Sequence, residues 1–583
     1  MKKWTTSTRI GLAGWILGIA FTVFSGRLVY LQVGQHENFS QLAAQKNSIR
    51  QVIYARRGSI IDRNGEVLAT DIPTRTVIVD GSHVTDPKAL AEVASPFLDI
   101  SVDELTEKFT TDRKYLVIKK DVTEDVAIRL RDAARAKKLP GLYFEQTSRR
   151  IYPNGKMLSH VIGFVNHDAV GVQGIEMTMN SYLQGENGFR HIEHDRTGHE
   201  LAVYRGLENP PKHGYNVRLT IDMAIQAILE EELEKAYNDL QPESISAIFL
   251  NPITGEILAM ANQPNFDPND ISAAQPEQMK NRAIISMVEP GSTFKIVPVA
   301  GVLNENLTTQ NSLIFCENGN YHYGGRVLRD HHGYGNLSVH DILVKSSNIG
   351  AAKLAMMTGD QKFYGYIRSF GFGERTGIEL PGEIPGLVHP PHRWSKISIT
   401  RIPMGHEIAV TPIQISMAMA TIANGGNLMA PQIVREIVTP DGQQLNAFSP
   451  QIVRRVVRSE VTREIRSALN EVVSTRGTAP LAHVEGYEVA GKTGTAQRVD
   501  PKGGYTPGKY VVSFAGFLPA DAPEIVGYVV VDDAKSLNVP NYGGLVAAPI
   551  FSRIAERTAR YLDIPPTLPA LPLASVGTSP PQR

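Results

Sequence analysis

Ser292-Thr293-Phe294-Lys295 sets a hydroxyl and an amine three residues apart. Glu289-Pro290-Gly291 punctuates the chain before it. The stretch from Ser292 through Leu303 is mostly apolar and reads as a helix with Ser292 at its start and Pro298 in its interior. Residues three apart on a helix share a face, so the Lys295 amine reaches the Ser292 hydroxyl. A serine hydroxyl is a poor nucleophile until an adjacent base takes its proton. Lys295 is such a base only when neutral, which requires a pKa well below the usual value of about 10.4. Burial and a second nearby cation both push in that direction. The helix N-terminus also favours negative charge growing on the serine oxygen. An N-capping serine with a solvated lysine one turn on has the same spacing. The pair alone therefore decides nothing.

Two later motifs add what the chemistry would need. Ser346-Ser347-Asn348 lies between apolar flanks that read as two short helices meeting at Ser346. Such a junction pushes a hydroxyl and an amide into a cleft, although serines and Asn also crowd ordinary turns. Ser346 is expected to relay protons between Lys295 and the leaving group, and Asn348 to bind the substrate backbone. Lys492-Thr493-Gly494-Thr495 falls in an alternating stretch, Gly486 to Gln497, that reads as a strand. An edge strand of small residues accepts a substrate backbone by strand addition, and Gly494 removes a side chain where the approach is close. Lys492 would be the second cation, and Thr493 and Thr495 the donors to a carboxylate. The N–H groups of Ser292 and Thr495 would form an oxyanion hole, at ~3 kcal/mol per donor.

In this order S-x-x-K, S-x-N and K-T-G form the signature of the serine acyl-transfer enzymes that penicillin inhibits. The chain resembles the class B penicillin-binding proteins, monofunctional peptidoglycan D,D-transpeptidases, over nearly its whole length. Arg57 to Ala69 (RGSIIDRNGEVLA), Arg150-Ile151-Tyr152-Pro153 with His160 to Gly163, and Gly171 to Glu176 resemble the segments of that family's non-catalytic pedestal. Thr220-Ile221-Asp222 with Gln226, Asn251 to Met260, and Val410 to Gln414 match its catalytic half. Met404-Gly405-His406-Glu407 departs, standing where the family pattern has a looser glycine-rich turn. Glu289 is similar to the septal subgroup; elongation- and sporulation-specific relatives remain alternatives, as does a β-lactam sensor or β-lactamase.

The resemblance implies an α+β fold: a single membrane anchor, an elongated mixed pedestal, and a transpeptidase domain with an antiparallel sheet flanked by helices. It implies no cofactor and no metal. The implied partners are peptidoglycan stem pentapeptides, β-lactams, a SEDS-family membrane glycosyltransferase and other division proteins.

Composition fits without deciding. Lys plus Arg equals Asp plus Glu, at 59 each, so no basic field argues for nucleic acid. The lone cysteine, Cys316, excludes an internal disulfide framework and reads as a small buried apolar residue. His331-His332 and His340 lack the spacing of a metal site.

Lys2, Lys3 and Arg9 precede an apolar run from Ile10 that continues past Arg27 to Leu31. It is long enough for a hydrocarbon core of ~30 Å, and its positive flank would stay cytoplasmic. A cleaved signal peptide is the competing reading, but no A-x-A-like site follows.

The expected organisation is a cytoplasmic N-terminus (1–9), an anchor (10–31), a pedestal (32–215), a transpeptidase domain (216–563) and a disordered Pro-rich tail (564–583). A helix is expected near Val122 to Ala136 and a linker over Gly206 to Gly214. In the second domain the residues predict a helix capped by Asp222, a hairpin of Ala247–Leu250 with Glu256–Met260, strands at Tyr510–Phe517 and Ile525–Asp532, and a last helix from Pro549 to Leu562.

Overall fold

In the computed structural model, residues 6–39, 48–194, 200–201, 208–500, 503–536 and 538–569 are described. The N-terminal apolar run forms α1 (Thr6–Val29), prolonged by a π-helical turn, Tyr30–Gly34. Its most apolar 18 residues have no buried share. At 1.5 Å per residue the helix extends about 40 Å, more than a hydrocarbon core of ~30 Å demands. The Arg27 guanidinium folds over the Tyr30 ring, 5.5 Å from its centre. Lys2 and Lys3 lie outside the described residues.

Contacts divide the chain into two compact units that cut across its linear order. The smaller comprises 1–56, 73–147 and 185–213; the larger comprises 57–72, 148–184 and 214–583. In the smaller unit, helices Pro87–Leu98, Val102–Phe109 and Glu124–Ala136 pack Leu90, Leu98, Phe109 and Leu130 against Val77 and Val79. Asp86 and Ser101 cap the first two by accepting from Ala89 N and Glu104 N. Ser48–Ile53 pairs antiparallel with Gly188–His194. Part of the expected linker is a short strand, Glu208–Asn209, on that same partner; Gly206 and Leu207 fall outside the described residues.

The larger unit takes up the segments around Arg57, Arg150 and Glu176 and joins them by a buried ionic cluster. Glu176 receives Arg57 Nε at 2.7 Å and Arg150 Nε at 2.6 Å, and Arg150 also reaches Asp71 at 3.3 Å. All four side chains are buried. Removing one partner of such a cluster leaves an uncompensated charge, at a cost of about 3–5 kcal/mol.

The unit is built on a five-stranded sheet. Asp222 caps α2 (Met223–Leu240), accepting from Ala224 N and Ile225 N. The strands are β1 (Ser244–Leu250), β2 (Ile257–Gln263), β3 (Ala490–Val499), β4 (Tyr505–Leu518) and β5 (Ile525–Asp532). They are antiparallel in the order β2-β1-β5-β4-β3, so β3 lies at an edge.

Both faces are covered. Along β1, Ala247 and Phe249 pack toward α2 and the C-terminal helix α8 (Gly543–Tyr561), with Leu229, Leu233, Phe551 and Ile554. Ile248 and Leu250 pack into the other core, with α3 (Ile296–Asn304), α4 (Val339–Val344), α5 (Asn348–Thr358), α6 (Pro412–Ala423) and α7 (Ser459–Val472). Burial on both sides explains why Ala247 to Leu250 of β1 is a continuous apolar run.

Two expectations need correction. The last helix begins at Gly543, six residues ahead of the expected Pro549, and carries that proline inside. Lying in the second turn, Pro549 removes one i→i−4 hydrogen bond without ending the helix. The tail is not disordered from residue 564: Ile564 is buried, its carbonyl accepts from Tyr487 Oη at 2.7 Å, and Thr567 N and Leu568 N donate to Gly486 O. Residues 570–583 lie outside the described part.

Candidate active site

Ser292 lies on a 3₁₀ turn, Gly291–Lys295, that runs directly into α3. The tighter turn differs from the expected α-helical start and places i and i+3 side by side even more closely. Its cause is local: Gly291 has φ +55, and Thr293 Oγ1 donates back to Pro290 O at 2.8 Å. Within the turn Gly291, Thr293, Phe294 and Lys295 are buried, and only Ser292 reaches the surface.

Lys295 is fully buried, and its amine donates to Ser346 O at 2.5 Å, Ser346 Oγ at 3.1 Å and Asn348 Oδ1 at 2.8 Å. Burial lowers its pKa from 10.5 to about 7, and the carboxylate of Asp330 resists that fall. At neutral pH a large share of this amine is therefore unprotonated.

The expected junction of two helices at Ser346 is present. α4 ends at Val344, α5 starts at Asn348, and Ser346 between them takes φ +59. That left-handed backbone is uncommon outside glycine and Asn and accompanies functional sites. Ser347 is turned inward as the N-cap of α5, donating to Asp330 Oδ2 at 2.6 Å and accepting from Gly350 N at 2.9 Å. Asp330 Oδ1 also accepts from Asn348 N and Ile349 N. Asp330 thus holds the second motif in place and supplies the nearest opposing charge to Lys295. The sequence reading missed it, because a single aspartate distant in the chain leaves no spacing signal. Asn348 was expected to face a substrate; its amide is engaged at both ends, with Nδ2 donating to Arg329 O at 3.0 Å.

Lys492 arrives from the edge strand β3, also fully buried, and its amine reaches Ser346 Oγ at 3.0 Å. Its pKa is driven well below the usual lysine value by burial and by repulsion from Lys295. Ser346 Oγ thus lies between two buried amines, within hydrogen-bond reach of both. Thr493 Oγ1 pairs with Thr478 Oγ1 at 3.0 Å, and Thr495 Oγ1 accepts from Gly543 N, at the start of α8, at 3.2 Å.

Strand and turn meet without side chains between them. A Cβ on Gly494 would lie 2.3 Å from Ser513 Oγ and 2.9 Å from Pro290 O; one on Gly291 would lie 2.9 Å from Thr495 O. Glycine at 494 is thus demanded by the protein's own packing, whatever a substrate requires. All eight residues picked from the three motifs are gathered here. Cys316 is buried beneath them and its thiol is pushed up by burial, so it stays protonated. His340 Nε2 pairs with Glu471 at 2.7 Å, and the His331 ring meets Tyr542 edge-on. Among the described residues no three His, Cys, Asp or Glu are grouped to hold a metal.

Comparison with known proteins agrees with this arrangement. Residues 245–556 match the penicillin binding protein transpeptidase domain, and residues 52–219 the penicillin-binding protein dimerisation domain. The chain is 35% identical to stage V sporulation protein D of Bacillus subtilis, over 94% of this chain and 85% of that one. It is 32% identical to the peptidoglycan D,D-transpeptidase FtsI of Escherichia coli, over 95% and 92% respectively. Penicillin-binding protein 3 of Mycobacterium tuberculosis, solved in complex with ampicillin, superposes with a TM-score of 0.70 at 29% identity, covering 90% of this chain and 99% of that one. The chain belongs to the class B penicillin-binding proteins, and its enzymatic kind is that of a serine-type peptidoglycan D,D-transpeptidase.

Proposed function

We propose that the eight motif residues carry the reaction as a two-step acyl transfer, with septal cell-wall synthesis as its setting. Ser292 attacks the carbonyl of the penultimate D-Ala of a pentapeptide stem while Lys295, neutral through burial, takes its proton. The N–H groups of Ser292 and Thr495 receive the oxyanion. Ser346, between the two lysines, passes the proton to the departing D-Ala amine. Lys492, Thr493 and Thr495 hold the terminal carboxylate, Gly494 lets the stem lie along β3, and Asn348 orders Lys295 and contacts the stem backbone. An amine of a neighbouring stem then attacks the acyl-enzyme and closes the cross-link, releasing Ser292. β-Lactams acylate the same serine and stay.

The observation carrying this reading is the convergence of two fully buried amines on Ser346 Oγ beside the Ser292 turn. Labelling membranes with a fluorescent penicillin tests it. Ser292→Ala should lose the covalent adduct and leave thermal stability nearly unchanged, because this hydroxyl caps neither the 3₁₀ turn nor α3. A penicilloyl adduct on that variant, seen by intact mass, ends the assignment.

Residues 10–31 are read as the anchor, with the catalytic unit on the extracytoplasmic side and a SEDS-family glycosyltransferase as membrane partner. Glu289 and the likeness to FtsI favour a division role; the likeness to a sporulation protein supports a second reading. Filamentation on depletion indicates division, rounding indicates elongation, and a defect confined to spores indicates the sporulation role.

A further inference from the structure

The two donors of the proposed oxyanion hole belong to separate pieces of chain, the Ser292 turn and strand β3, so something must fix their spacing. Behind the turn runs the segment that departs from the family pattern, Met404-Gly405-His406-Glu407. Gly405 (φ +84) lies flat against the turn: a Cβ there would come within 2.2 Å of Gly291 O, and Gly291 N donates to Gly405 O at 3.3 Å. Val288 and Val410 exchange N–H···O bonds at 2.9 Å in both directions. Turn and backing segment therefore move together.

One side-chain cluster links this pair to the β3–β4 hairpin. Glu289, three residues before the nucleophile, receives His406 Nδ1–H at 2.7 Å and Glu407 N–H at 3.0 Å. Tyr505, at the start of β4, donates its hydroxyl to the same carboxylate at 3.1 and 3.2 Å, and His406 Nδ1 lies 2.9 Å from that oxygen. The His406 ring stands edge-on to Tyr505, at 89° and 5.8 Å between centres. Tyr505 pairs across the hairpin with Val499, on the same strand as Thr495. Burial and the Glu289 carboxylate push the phenol upward, so it remains a donor at any working pH.

We propose that His406 is a positioning residue: through Glu289 and Tyr505 it clasps the nucleophile turn to the β3–β4 hairpin and sets the distance between the Ser292 and Thr495 N–H groups. The proposal rests on the acyl-enzyme reading above and adds a residue that the three motifs do not contain. Its three members come from chain segments far apart in sequence that meet only in the fold. A clasp of this kind acts on the barrier and not on the affinity. It contacts neither the carboxylate pocket nor the reacting atoms, yet a misplacement of ~1 Å costs up to 10²-fold in rate.

The test is stopped-flow acylation of the full-length protein by a fluorescent penicillin, resolving the acylation rate constant from the non-covalent dissociation constant. His406→Leu keeps the bulk and removes the donor; His406→Asn restores a donor, since the Asn amide nitrogen falls close to the position of Nδ1. Tyr505→Phe removes only one partly exposed hydroxyl. His406→Leu and Tyr505→Phe should each acylate roughly tenfold more slowly at an unchanged dissociation constant, and His406→Asn should recover most of the rate. Wild-type rates in either slow-predicted variant overturn the clasp, as does equal slowing by Leu and Asn. Should His406→Leu fail to fold, Tyr505→Phe decides alone. Failure of the wild type to form any adduct would overturn the acyl-enzyme reading instead, so the two failures are distinguishable.

Discussion

Lys295 makes a prediction about pH whose sign and size both follow from its surroundings. The amine is fully buried and titrates near 7, against 10.5 for a free lysine. Burial therefore disfavours the ammonium by about 5 kcal/mol. If the neutral amine is the base, the acylation rate follows its neutral fraction, which rises from ~3% at pH 5.5 to ~97% at pH 8.5, about 30-fold. Asp330 opposes the shift, so Asp330→Asn should move the acid limb to lower pH. At pH 6 that variant should then acylate faster than wild type, while a merely damaged site would be slower at every pH. The asparagine retains an acceptor for Asn348 N and Ile349 N, which keeps the second motif supported. The same shift enters stability. The folded state binds fewer protons than the unfolded chain between about pH 7 and 10.5, so this group's contribution to stability improves as pH rises through that window and is least favourable below it. Stopped-flow acylation from pH 5.5 to 8.5 reads the limb. A flat profile, or a limb that moves upward in Asp330→Asn, refutes the base assignment.

Lys295→Arg retains a cation that does not deprotonate in this range, and acylation should fall by roughly 10²- to 10⁴-fold; a near-wild-type rate would reduce Lys295 to an electrostatic role. Gly494→Ala must push Ser513 Oγ and Pro290 O away from a new Cβ. It should cost about 1–3 kcal/mol in thermal unfolding and up to ~10²-fold in acylation, whereas an unchanged rate would show that turn and strand tolerate separation. Replacing residues 1–31 by a cleaved signal peptide should leave penicillin labelling intact and abolish growth support, because a free transpeptidase loses the local concentration that tethering supplies. Full complementation by the soluble form would exclude an essential anchor.

The grouping of the motif residues was legible because it is written locally. Ser292 and Lys295 share one turn, Ser346 and Asn348 one junction, and Lys492 to Thr495 one strand, so short spacings betray them. The helix capped by Asp222 and the β1–β2 hairpin were readable for the same reason, each specified by neighbours in sequence. What escaped is long-range. Asp330 acts through a loop that meets α5 only in the folded chain, and the pairing of Glu289 with His406 and Tyr505 joins three distant segments. The start of α8 was misjudged because Pro549 looked like a boundary, and the tail because prolines look like disorder; backbone bonds to Gly486 hold residues 567–568 regardless.

The three-part make-up of the larger unit dictates when it can come into being. Ile60, Leu68, Tyr152 and Ile175 share one core with Phe517 and Val526, and Ile248 of β1 lies opposite Tyr528 of β5. A growing chain holds β1 and β2 long before their sheet neighbours exist, and Arg57 long before Glu176. Pairings this distant in sequence form slowly and leave strand edges open meanwhile. The catalytic unit is therefore finished only when synthesis is nearly over. A fragment beginning at residue 216 would lack Arg57, Arg150, Glu176 and one wall of that core, so a soluble catalytic version must carry the earlier segments as part of the enzyme.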